Sequence, residues 1–93
     1  FERAGGTARN NVCRNNGLHG ILLRNEAKPT LEGNTCEGNQ GSGIAYYDHA
    51  GGTARKNVCR GNRWCQIEKS EGANPILEDN DALPDWLRWL LGR

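Results

Sequence analysis

Ala4-Gly5-Gly6-Thr7-Ala8-Arg9-Asn10-Asn11-Val12-Cys13-Arg14 returns as Ala50-Gly51-Gly52-Thr53-Ala54-Arg55-Lys56-Asn57-Val58-Cys59-Arg60, changed only where Lys56 replaces Asn10. Midway between them, Ala27-Lys28-Pro29-Thr30-Leu31-Glu32-Gly33-Asn34-Thr35-Cys36-Glu37 keeps the alanine, asparagine and cysteine in the same frame. The underlying period is 23 residues: Ala4, Ala27, Ala50 and Ala73 obey it, as do Asn11, Asn34, Asn57 and Asn80. Cys13, Cys36 and Cys59 follow it too, as do Ile21, Ile44 and Ile67, with no insertion or deletion. A fixed period of this size is the signature of a solenoid, in which each repeat is one coil stacked on the last.

Each coil holds three short apolar segments separated by turn residues. They centre on Ala8, Leu31, Ala54 and Leu77, on Cys13, Cys36, Cys59 and Ala82, and on Ile21, Ile44 and Ile67. Segments this short, set among Gly and Asn, cannot be helices of ten or more residues. Three strands per coil fit the length, since 23 residues of extended chain span about 70 Å before the bends absorb some of it. A leucine-rich repeat shares this period, but Gly17 to Ala27 shows little of the leucine periodicity that its convex side needs. Asn11 and Asn16, with their equivalents, separate the segments; Asn tolerates left-handed backbone, and its amide can bond the amide one coil above.

Stacking places equivalent residues about 4.8 Å apart. One column then reads Arg9, Glu32, Arg55, Glu78 and another Arg14, Glu37, Arg60. Opposite charges on neighbouring strands contribute about 0.2–1 kcal/mol each and like charges oppose pairing, so alternation fixes coil register. Ala8, Leu31, Ala54 and Leu77 alternate small and large, as a narrow core requires. The repeating unit is therefore a pair of coils. The cysteine column cannot hold a zinc ion. Its outer sulfurs would lie about 9.6 Å apart, against the ~2.3 Å that each ligand needs. These thiols are expected free and buried; Cys65, off the column beside the positions of His19 and Ser42, is the thiol expected at the surface.

The pattern Asn-x-Cys-x-x-Asn, then Gly-Ile, then Ala-x-Pro, resembles the parallel β-helix repeats of the pectate-lyase-like superfamily. More narrowly, it is similar to the short-coil right-handed β-helix region modules described as carbohydrate-binding and sugar-hydrolase repeats. The resemblance covers residues 4–80. It implies an all-β right-handed parallel β-helix of about 3.5 coils, residues 1–80. It leaves function open between polysaccharide lyases, hydrolases or epimerases and non-catalytic binding modules. Gln66 departs from the glycine at Gly20 and Gly43, and Lys69 from the apolar Leu23 and Tyr46, so the third coil is expected to deviate there.

Residues 81–93 read instead as a short amphipathic α-helix. Pro84 suits its first turn, Asp85 its positive end and Gly92 its stop, with Trp86, Trp89 and Leu90 on one face as a cap over the last coil.

No constellation for catalysis, cofactor or metal emerges. Glu32, Glu37 and Glu78 alternate with arginine in the columns and the other acidic residues are scattered, whereas glycoside hydrolysis needs two carboxylates about 5–10 Å apart. Asp48 and His49 are adjacent, which on a strand sends them to opposite faces. His19 stands in a glycine-flanked turn without a stacked acid. A net charge of +1 lacks the basic footprint of a nucleic-acid binder, and no apolar run is long enough for a membrane helix. Free cysteines favour a reducing, cytoplasmic compartment. The expectation is a non-catalytic scaffold or binding module, the C-terminal piece of a longer β-helix that associates through an uncapped N-terminal end. That end would meet preceding coils or a second copy. The alternative is the terminal part of a carbohydrate-active enzyme. Tyr46, Tyr47 and Trp64 are the candidate contacts for a polysaccharide or partner.

Overall fold

The structure, a computed structural model, describes residues 5–83 together with Leu87 and Leu90. Its ten strands each hold three residues: β1 Thr7–Arg9, β2 Val12–Arg14, β3 Ile21–Leu23, β4 Thr30–Glu32, β5 Thr35–Glu37, β6 Ile44–Tyr46, β7 Thr53–Arg55, β8 Val58–Arg60, β9 Ile67–Lys69 and β10 Ile76–Glu78. They form three parallel sheets, β1-β4-β7-β10, β2-β5-β8 and β3-β6-β9. Pairing joins residues one period apart, as in Ala8↔Leu31, Cys13↔Cys36 and Ile21↔Ile44. A single bridge, Val58↔Asp81, carries the second sheet into the fourth coil, and Ala82 packs against the core. The result is an all-β parallel solenoid of about three turns.

Among the described residues beyond Leu83, Leu87 and Leu90 have helical backbone but make up no helix element, so the capping helix expected over residues 81–93 is not supported. Trp86 and Trp89 lie outside them. Leu90 is described, and at 55% exposure it is not the buried anchor expected of a cap.

The core is one side chain thick between the sheets. Leu23, Leu31, Cys36, Ile44, Tyr46, Ala54 and Cys59 are all fully buried. A three-residue strand with both ends turned inward, as in β3 and β6, sends Leu23 and Tyr46 to the interior and its middle residue outward. Tyr46, expected at the surface as a ligand contact, is therefore a core residue. Its hydroxyl is buried and has no hydrogen-bond partner among the described residues.

Two files of asparagine tie coil to coil. The Asn34 backbone N–H and side-chain amide both donate to Asn57 Oδ1, at 2.9 and 3.0 Å. Asn57 makes the same pair of bonds to Asn80 Oδ1, and Asn11 to Asn34 Oδ1. Each of these amides also reaches back to a carbonyl of the previous coil, Asn34 to Ala8, Asn57 to Leu31 and Asn80 to Ala54. The second file, Asn16, Asn39 and Asn62, repeats the scheme and ends on Gln66, whose Oε1 accepts from Asn62 Nδ2 at 2.8 Å. Gln66 thus supplies within its own coil the amide oxygen that an asparagine one coil on supplies elsewhere. Glycine at this position in the earlier coils has a steric cause. A Cβ on Gly20 would lie 2.9 Å from Asn39 Nδ2, and one on Gly43 would lie 2.8 Å from Asn62 Nδ2. The third coil keeps its strand nonetheless, with β9 paired to β6.

The left-handed residues sit one place before the ladder asparagines rather than on them. Asn10, Gly33, Lys56 and Asp79 form one such column, with φ of 57°, 67°, 55° and 53°, and Asn15, Gly38 and Gly61 another. Lys56 holds this conformation at a cost of about 1 kcal/mol that Gly or Asn largely avoids. Outside, Glu32 lies between Arg9 at 3.7 Å and Arg55 at 3.0 Å, and Glu37 pairs with Arg60 at 2.9 Å. Among the described residues, Arg14 and Glu78 have no such pair.

Two substitutions should move stability in opposite directions. Asn57→Ala strips buried partners from Asn34 and from the Leu31 carbonyl, and should lower unfolding free energy by about 3 kcal/mol. Tyr46→Phe removes an orphaned hydroxyl and should leave stability unchanged or raise it by about 1 kcal/mol; urea titration measures both.

All four cysteines are free, with Cys36 and Cys59 buried and Cys65 exposed. The Cys59 thiol and burial push the Cys36 thiol up; burial and then the Cys36 thiol do the same to Cys13; burial and then Cys59 raise the Tyr46 phenol. These groups keep their protons in the folded state after the unfolded chain has lost them. Stability should therefore be unaffected by them below the ordinary thiol value of 9.0 and fall as pH rises past it. Denaturation midpoints at about pH 8 and about pH 10 test this. At the lower pH Cys65 should react with a thiol reagent before the rest.

Candidate functional site

The outer face of the third sheet carries the clearest polar cluster. The middle residues of β3, β6 and β9 point outward there, giving the column Leu22, Ala45, Glu68. Residues on either side of these strands form walls: Leu18, His19 and Trp64 precede them, while Arg24, Tyr47 and Ser70 follow. These walls and Leu22 line a groove of about 500 Å³.

A hydrogen-bonded chain crosses the groove. The Ser42 backbone N–H donates to His19 Nδ1 at 3.0 Å. That bond makes Nδ1 an acceptor, so in the neutral ring the proton sits on Nε2. His19 Nε2–H then donates to the Tyr47 hydroxyl oxygen at 2.9 Å. The Tyr47 O–H in turn points to Glu68 Oε1 at 3.4 Å, where the Ser42 hydroxyl also donates at 2.7 Å. Tyr47, from the second coil, thereby reaches back to the first coil and forward to the third. Ala45, outward on β6, is fully buried beneath this cover. His19 stacks edge-on against Tyr47 and Trp64, with both centroid separations 5.6 Å. Burial, and then the Glu68 carboxylate, push the Tyr47 phenol up, which keeps it a proton donor. Trp64 is 57% exposed at the rim.

Of the three aromatics named from sequence, Tyr47 and Trp64 meet in this groove and Tyr46 does not. His19, Ser42 and Glu68 went unrecognised. The period showed only stacked neighbours, whereas His19 meets Tyr47 across 28 residues, from opposite ends of two successive strands. Outward alternation of position 68 was the available signal. Asp48 and His49 form no dyad. Asp48 is a left-handed turn residue whose Oδ2 accepts from the Asn25 N–H at 3.0 Å. Among the described residues, no three His, Cys, Asp or Glu side chains gather as metal ligands. No helix among them is long and apolar enough to cross a membrane.

Three parallel sheets wound by short corners, with files of asparagine inside, define the parallel β-helix class. The chain belongs to the right-handed β-helix region family, whose sequence profile matches residues 1–84. No curated protein and no solved structure matches it.

Tyr47→Phe should remove the contact with Glu68 and the acceptor of His19, at about 1 kcal/mol of stability. Imidazole nitrogen NMR should show the Nε2–H tautomer in the parent protein and loss of its slowed proton exchange in the variant.

Proposed function

We propose that this chain is a non-catalytic β-helix scaffold and binding module whose third sheet presents a saccharide-binding groove. One observation carries this reading: Trp64 is exposed, yet it packs on a His19 ring already fixed by Ser42 and Tyr47. A rigid aromatic platform flanked by donors and carboxylate acceptors suits a polyhydroxylated ring, and its ordering cost falls on the fold rather than on binding. Arg24 and Asp48 add charged groups at the same groove.

The exposed edges of the first coil support a second part of the proposal. Val12 is 56% exposed and Cys13 half-buried, whereas Cys36 and Cys59 are fully covered. Preceding coils of a longer protein, or a second copy, would occupy that edge.

The His19–Tyr47–Glu68 cluster also favours a second reading, the terminal part of a carbohydrate-active enzyme. Against it, His19 Nδ1 is occupied by a backbone donor and the Tyr47 phenol is held protonated, so neither is poised as a base.

A glycan array followed by calorimetry tests the reading. Trp64→Ala should weaken binding of a recognised oligosaccharide by about ten-fold or more, with the glycan recovered intact. Failure of every glycan to bind would overturn the saccharide assignment, and cleavage of a bound one would favour the enzyme.

A further inference from the structure

We propose that copies of this chain stack head to tail, with β10 of one copy pairing in parallel with β1 of the next. The proposal rests on the self-association just described and names the surface that the first-coil edge accepts.

Both edges are uncovered among the described residues. Leu77, the fourth-coil equivalent of the fully buried Leu31, is 46% exposed, and Ile76 beside it is 59% exposed. At the other edge a recess of about 510 Å³ is lined by Ala8, Asn11, Cys13 and Ile21.

Backbone donors and acceptors match across the two edges. In a repeating series, Asn10 N–H donates to Glu32 O, Gly33 N–H to Arg55 O and Lys56 N–H to Glu78 O. Asp79 N–H is the next donor, and it has no acceptor among the described residues. Arg9 O of a second copy occupies the next position in the series. The asparagine file behaves in the same way. No described residue donates to Asn11 Oδ1, and the Asn80 N–H has no described acceptor. The file runs in one direction, each oxygen accepting from one neighbouring coil and each N–H donating to the other. The Asn11 edge therefore lacks donors, and the Asn80 edge lacks acceptors.

Direct pairing of the first-coil edge of one copy with the C-terminal edge of another requires amide N–H groups of the Asn11 file to meet oxygens on the correct side. Within the stack, Asn57 donates toward Asn80, so the file's free oxygen is Asn11 Oδ1 and its free donors are the Asn80 N–H and the amide hydrogen not given to Ala54 O. Asn80 of one copy thus meets Asn11 Oδ1 of the next in the same sense as Asn57 meets Asn80. Charge and size continue as well. The column Arg9, Glu32, Arg55, Glu78 resumes at Arg9, giving Glu78 the ion pair that it lacks among the described residues. Leu77 then meets Ala8, which preserves the small–large alternation. Joining two first-coil edges would instead oppose Arg9 to Arg9 and amide oxygen to amide oxygen. A head-to-tail contact leaves a free edge at each end, so growth does not stop at a dimer.

Sedimentation velocity over a concentration series, using the whole 93-residue chain of 10.3 kDa, tests the proposal. Thr7→Pro blocks one edge only. The equivalents Thr30, Thr53 and Ile76 donate backward to Gly6, Pro29 and Gly52, so the Thr7 N–H faces away from the stack and its removal breaks no bond between coils. The parent should form species beyond a dimer. Thr7→Pro should be monomeric alone and, mixed with the parent, should shorten its assemblies by capping them. Glu78→Gln, which leaves the edge open, should weaken association by about two- to five-fold. It serves as the second variant if circular dichroism shows Thr7→Pro unfolded. A parent that stops at a dimer overturns head-to-tail stacking but leaves first-coil self-association standing, and a parent that stays monomeric overturns both. Unchanged parent assemblies in the presence of folded Thr7→Pro, or unchanged association of Glu78→Gln, also overturn it.

Discussion

Two files of asparagine run the length of the stack, and each internal member binds the coils on both sides of it. A single Oδ1 takes two donors, the backbone N–H and the side-chain amide of the neighbouring asparagine, as Asn57 does for Asn34. The amide's other hydrogen goes to a main-chain carbonyl of the preceding coil, as from Asn57 to Leu31. Corners are where a wound chain leaves backbone groups off the sheet ladders, and burying them unpaired would cost about 1–3 kcal/mol each. Strands of three residues give each sheet little ladder of its own. The asparagine files therefore set the register that the sheets then share, and the apolar core only fills the space left between.

The same constraint explains the departures from the repeat. Wherever a further asparagine lies above, the residue at position 20 or 43 must be glycine, because a Cβ would strike that amide. At position 66 the file ends, and the side chain becomes the ligand rather than the obstacle. Gln66 carries the correct group for this, an amide oxygen within 2.8 Å of Asn62 Nδ2. What looks in sequence like a broken repeat is a file brought to its end.

Much of this was legible in the residues. The period, the parallel register, the inward asparagines and the cysteine column follow from spacing, because in a stack equal positions must meet. Other features were less accessible. Tyr46 is named as a candidate ligand contact, but β6 buries both of its ends and the tyrosine fills core. The left-handed corners fell on Asn10 and Asn15, one residue from the expected positions, since Asn11 and Asn16 are needed inside. The His19–Tyr47 contact follows no column at all. It crosses the sheet diagonally, joining the residue after one strand to a residue before another, and a periodic alignment contains no term for such a pair.

That blind spot has a physical origin and marks the groove. Columns that stabilise stacking are repetitive: Asn over Asn, Arg over Glu, Cys over Cys. Columns on the outer face of the third sheet are not. Leu22, Ala45 and Glu68 share one, His19, Ser42 and Cys65 another, and Arg24, Tyr47 and Ser70 a third. Stacking energy places little demand on these outward positions, so repetition is not needed to hold them. A hydrogen-bonded chain nonetheless assembles from members of three different coils, with its donors and acceptors matched. Ala45, outward in the middle of this sheet, is small and fully buried, and Glu68 accepts two donors because Ser42 and Tyr47 converge on it. In a molecule whose repeats are explained by stacking, this matched set of non-repeating residues is the surface on which recognition can be built.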